Sequence, residues 1–142
     1  EFTALNLEGP KKARATLIRV TIAVALVMVI PLTIVHVWAY EIISIWISES
    51  QGANSGLILK VLTIGVFING VSYVPFSLIQ GYGRSDLTAK FHLIELIIYI
   101  PLIYILLDNF GLVGVAISFT LRVFIDFILL FFTALLLTRV SK

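Results

Sequence analysis

Residues 112–137 read L-V-G-V-A-I-S-F-T-L-R-V-F-I-D-F-I-L-L-F-F-T-A-L-L-L. Arg122 and Asp126 are its only charges, too few for the charged face that the surface of a soluble helix carries. At about 1.5 Å per residue the stretch is longer than a hydrocarbon core of about 30 Å. It reads as a membrane span.

Working outward, three more blocks of the same kind occupy 17–40, 57–80 and 87–107, each near the roughly 20 residues a helix needs to cross a bilayer. The composition agrees: 60% of the residues are hydrophobic and 13% charged, a balance that a soluble body of this length cannot bury. The expected fold is therefore all-α, a polytopic membrane protein with four transmembrane helices. Cysteine is absent, which excludes disulfides and thiolate metal sites.

The expected organisation is a cytoplasmic linker over 1–16, a transmembrane region over 17–138 and a cytoplasmic tail over 139–142. The opening residues, E-F-T-A-L-N-L-E-G-P-K-K-A-R, are polar and basic without an apolar core, so they are no signal peptide. Basic residues set the orientation. Lys11, Lys12, Arg14 and Arg19 precede or open the first span, Arg84 and Lys90 flank the middle connection, and Arg139 and Lys142 follow the last span. The other two connections hold only Lys60. Both termini are thus expected on the cytoplasmic side. Between the first two spans, E-I-I-S-I-W-I-S reads as a helix end or amphipathic turn in the interface, with Trp38, Tyr40 and Trp46 as its aromatic belt. Pro31, Pro75 and Pro101 fall inside three spans, where each removes a backbone donor and kinks its helix.

Charged side chains at mid-membrane depth are costly and usually face a cavity or a partner. Three are found here: Glu95, Arg122 and Asp126. Counting residues puts Glu95 roughly 12 Å from the cytoplasmic end of its span and Arg122 roughly 16 Å from the outer end of the next. Those depths nearly coincide, so adjacent antiparallel helices can pair Glu95 with Arg122, with Asp126 one turn on sharing the guanidinium. His92, Glu95 and Tyr99 fall on one face, as do Ser118, Arg122 and Asp126. Asn69, Ser72, Tyr73 and Gln80 give the second span a polar face of its own, expected to point inward. The plain alternative is that these groups only hold the bundle together. His36 is expected to be interfacial. Gly111, Gly114 and Ser118 permit close helix packing. No metal-ligand cluster, nucleophile–base pair or phosphate-binding glycine motif is apparent, and Gly81 to Gly83 lack the rest of a dinucleotide fingerprint. The expectation is a protein that is not an enzyme and needs no cofactor.

Two stretches, L-K-V-L-T-I-G-V-F-I-N-G-V-S-Y-V-P-F-S-L-I-Q-G-Y-G-R-S-D-L-T-A-K-F-H-L-I-E-L-I-I-Y-I-P-L and N-F-G-L-V-G-V-A-I-S-F-T-L-R-V-F-I-D, resemble the C-terminal part of oligosaccharide flippases. These are polysaccharide transporters of the multidrug/oligosaccharidyl-lipid/polysaccharide exporter superfamily. The likeness is carried by Gly83 and Arg84, then Glu95, Tyr99 and Pro101, then Phe110 and Gly111, and last Arg122 and Asp126. Pro31 and the I-S-I-W-I segment around Trp46 extend it over nearly the whole chain.

The resemblance implies the last helices of an exporter built from two six-helix bundles, which moves lipid-linked sugar repeat units across the inner membrane by alternating access. Four spans fall short of that, so the chain is expected to be a piece of a longer transporter, unable to transport alone. Its implied partners are membrane lipids, lipid-linked oligosaccharide and the remaining helices, and no nucleic acid. The resemblance makes Arg122 the candidate for the carrier pyrophosphate, with Glu95 and Asp126 orienting it or responding to protons. Tyr99 and Asn69 join them as substrate or transport candidates. Arg84 is expected to be a topology determinant or lipid-headgroup contact. Two other functions fit the sequence: another exporter of the superfamily, for drugs or lipids, or a small four-helix scaffold or assembly subunit.

Overall fold

The structure, a computed structural model, describes residues 10–46 and 49–140. It is all-helical over that range, with α1 at Pro10–Val37, α2 at Ala39–Trp46, α3 at Glu49–Gly81 and α4 at Ser85–Val140. Three helices are long and apolar enough to cross a membrane: Lys11–Val37, Ser55–Gly81 and Ser85–Arg139. The protein is a polytopic α-helical membrane protein. Of the expected linker, residues 10–16 belong to α1, and 1–9 lie outside the described residues, as does the end of the tail.

At 55 residues the third of these would run roughly 80 Å if straight, nearly twice a whole bilayer with its headgroups. It is not straight. Gly111 adopts φ 61° and ψ −146°, a backbone conformation that residues with a Cβ rarely adopt, and there the chain folds back. The first limb, 85–110, and the second limb, 112–140, lie antiparallel, so that Glu95 meets Arg122 and His92 meets Asp126. Three residues past the turn, the Leu106 carbonyl occupies the space where a Cβ on Gly114 would sit. A glycine there lets the two backbones touch.

The connection from α3 to α4 is a Schellman cap. Gly83 has φ 70°, its N–H donates to the Gln80 carbonyl (2.9 Å), and the Arg84 N–H donates to the Ile79 carbonyl (3.2 Å). Asp86 then opens α4, where a carboxylate complements the helix dipole, and bonds Arg84 at 3.1 Å. That hydrogen bond raises the Arg84 pKa further above its ordinary value, so the loop keeps its positive charge.

Helix α1 runs antiparallel to α3: Leu17 packs with Leu78, Met28 fills the space beside Gly70, and His36 Nδ1 lies 3.3 Å from Thr63 Oγ1. The Thr63 hydroxyl donates to a carbonyl of its own helix, Leu59 or Lys60, at 2.8 Å, which leaves its oxygen to accept from His36. His36 thus joins two helices. The second limb of α4 packs alongside α3, where the Thr120 hydroxyl reaches the Val61 carbonyl at 3.2 Å.

The tightest core, Leu17, Val74, Leu78, Ile79, Leu130 and Ala134, joins α1, α3 and the second limb near one end of the bundle. Arg14, Arg84, Lys90 and Arg139 lie toward that same end. At the opposite end Lys60 sits 4.3 Å over the Tyr40 ring, and Trp38 and Trp46 are exposed. Along α1, Ile22, Leu26, Val27 and Ile30 are bare, as side chains facing lipid are.

Candidate functional site

Between the two limbs of α4, at mid-length, four ionisable side chains form a chain of contacts. Arg122 Nε lies 3.6 Å from Glu95 Oε2. His92 Nδ1 lies 3.5 Å from the same Glu95 oxygen and 3.8 Å from Asp126 Oδ1. The other side of Arg122 is taken by Tyr99, whose ring centre is 5.4 Å from the guanidinium carbon.

Helical geometry dictates who meets whom. Counted from Gly111, Arg122 stands level with Tyr99 and Asp126 level with Glu95, so Arg122 lies over the Tyr99 ring and extends away from the turn to meet Glu95. The expected sharing of one guanidinium by both carboxylates is replaced: Asp126 lies against the His92 ring, 3.8 Å from its Nδ1. Sequence reading placed His92 on the face of Glu95 and Tyr99 but gave it no role. Its i, i+3 spacing from Glu95 was the available signal.

Burial is uneven across the cluster. Glu95 and Asp126 are 4% and 7% exposed, whereas the Arg122 side chain is 37% exposed and His92 is open along one edge. Two oxygens, Glu95 Oε1 and Asp126 Oδ1, are buried without a hydrogen-bond partner. An unmet buried polar atom costs about 1–3 kcal/mol, and more when charged. Ligand atoms of His92, Glu95 and Asp126 all lie within 4.8 Å of one another, a set that sequence reading did not assemble because it joined Glu95 and Asp126 through Arg122 and left His92 out.

The polar residues of α3 divide. Ser72 is buried and its hydroxyl donates to the Ile68 carbonyl (2.8 Å), whereas Asn69 is exposed and Tyr73 is 69% exposed. Tyr73 stacks on Phe76 with centroids 5.9 Å apart, and Phe76 approaches His92 at 6.1 Å, which joins the open edge of α3 to the charged cluster. Gln80, at the cap, donates from Nε2 to Thr88 Oγ1 at 3.0 Å and ties α3 to the first limb. Arg84 stands apart, on the surface and paired with Asp86.

The chain is 44% identical over 89 residues to a curated Shigella flexneri protein named "Putative O-antigen transporter". Over those residues the chain is similar to an O-antigen transporter. The match covers 63% of this chain and 21% of the O-antigen transporter, so it takes in only about a fifth of that protein's length. No protein-family model and no solved structure matches the chain. For a relative of an O-antigen transporter, a charged cluster inside apolar helices is the feature with most to explain.

Proposed function

We propose that this chain is the C-terminal part of a transporter that flips lipid-linked oligosaccharide, in the form of polysaccharide or O-antigen repeat units, across the cytoplasmic membrane by alternating access. The observation that carries the proposal is Arg122: a guanidinium inside an apolar helix, fixed by Glu95 and Tyr99 and still open on one side. A cation so placed binds an anionic group, and the anionic part of a lipid-linked sugar is its phosphate linkage.

In this reading the chain crosses the membrane four times, through α1, α3 and each limb of α4, with the turn at Gly111 on the outer side. The basic end of the bundle faces the cytoplasm, so both ends of the chain do as well. Asn69, Tyr73, Phe76, His92, Tyr99 and Arg122 give the open face that the remaining helices of the transporter enclose as a cavity. Glu95 holds Arg122 in place, Asp126 balances the charge beside it, and Arg84 contacts lipid headgroups from its loop.

The test is the parent transporter carrying Arg122→Ala, with sugar polymer at the cell surface as the readout. The proposal expects loss of surface polymer at normal protein level. Unchanged polymer would leave the cluster as structural glue, the role it would have in a scaffold subunit.

A further inference from the structure

We propose that His92, Glu95 and Asp126 form a site for one transition-metal dication between the two limbs of α4. The proposal stands on geometry and does not rest on the transport reading. Two observations carry it independently. The ligand atoms of the three side chains already lie within 4.8 Å of one another. Two of the oxygens concerned, Glu95 Oε1 and Asp126 Oδ1, are buried without a hydrogen-bond partner, on residues only 4% and 7% exposed.

A structural ion-pair network would leave those oxygens satisfied. A metal ion satisfies both. At metal–ligand distances of about 2.0–2.2 Å, neighbouring donors of a tetrahedral site stand about 3.4 Å apart. The His92 nitrogen is 3.8 Å from Asp126 Oδ1, and the ligand atoms of all three residues lie within 4.8 Å of one another, so closure needs shifts of side chains alone.

The donor set selects the ion. Imidazole with two carboxylates suits Zn²⁺ or a similar transition metal, whereas Mg²⁺ and Ca²⁺ take oxygen ligands. Glu95 divides its oxygens, Oε1 toward the ion and Oε2 toward Arg122, so that Arg122 orients a ligand from behind. The exposed edge of His92 provides the entry path.

The experiment titrates Co²⁺ alone into the full chain, without an affinity tag, in lipid nanodiscs. The expected result is saturation at one equivalent with visible ligand-field bands that Zn²⁺ removes. Glu95→Gln and Asp126→Asn each weaken binding by at least about 10–100-fold, the loss known even for groups that only support a ligand. His92→Ala is the decisive variant because its ring is half-exposed: helix content by circular dichroism stays as in the parent while Co²⁺ affinity falls and the bands change. No saturable Co²⁺ binding by the parent chain overturns the proposal. So does Co²⁺ affinity unchanged in a folded His92→Ala protein, since the ion then sits elsewhere.

Discussion

Arg122 and Glu95, on opposite limbs of one helical hairpin, approach to 3.6 Å at the middle of the membrane-spanning region. Glu95 stands sixteen positions before the turn at Gly111 and Arg122 eleven after it, and the offset is spanned by the length of the two side chains. The contact therefore reports on both the turn and the register of the limbs.

Removing either partner leaves the other uncompensated. Breaking a wholly buried pair costs about 3–5 kcal/mol. Arg122 is partly open, so Glu95→Ala is expected to cost less, about 2 kcal/mol, measured as thermal unfolding in nanodiscs. The double variant Glu95→Ala/Arg122→Ala is expected to be less destabilised than the sum of the single ones. Strict additivity would mean that the two groups do not interact.

The two glycines of the turn are expected to fail differently. Nothing lies within 4 Å of a Cβ added at Gly111, so Gly111→Ala pays only for its backbone conformation, of order 1–3 kcal/mol. At Gly114 the added carbon meets the Leu106 backbone, which cannot turn aside. Gly114→Ala is thus expected to be the more damaging in a comparison of melting temperatures, and Gly114→Val more so again. Equal tolerance at the two positions would argue that the limbs do not touch there.

Orientation is testable because the chain has no cysteine of its own. Single cysteines at Arg84 and Arg139 are expected to resist a membrane-impermeant maleimide in intact cells and to react in inverted vesicles. Cysteines at Trp46 and Asn109 are expected to do the reverse. Labelling of 84 and 109 from the same side would mean that the first limb of α4 does not cross.

Much of this was legible in the sequence. Apolar blocks located the helices because lipid removes the need for a polar face, and the break between the blocks at 87–107 and 112–137 placed the turn. Counting rise per residue was enough to set Glu95 and Arg122 at one depth. What the sequence left out depends on rotation about helix axes, which hydropathy does not encode when every face is apolar. It hid that Asp126 turns to His92, that Tyr73 stays open while Ser72 is covered, and that three ligand atoms converge. The α-helical stretch over 10–16 was missed for another reason: its lysines and arginine are good helix formers as well as topology signals, and only the second property was used.

The central claim is that Arg122 engages the anionic part of a lipid-linked sugar. Its most direct test is the rate of lipid-linked oligosaccharide translocation into inverted membrane vesicles by the parent transporter carrying Arg122→Gln, compared at equal protein level with the unchanged protein and with Arg122→Lys. A charge-assisted hydrogen bond is worth about 1.5–3 kcal/mol, so Arg122→Gln is expected to slow translocation by about 10–100-fold, with Arg122→Lys recovering part of it. Translocation by Arg122→Gln at the unchanged rate would contradict the account.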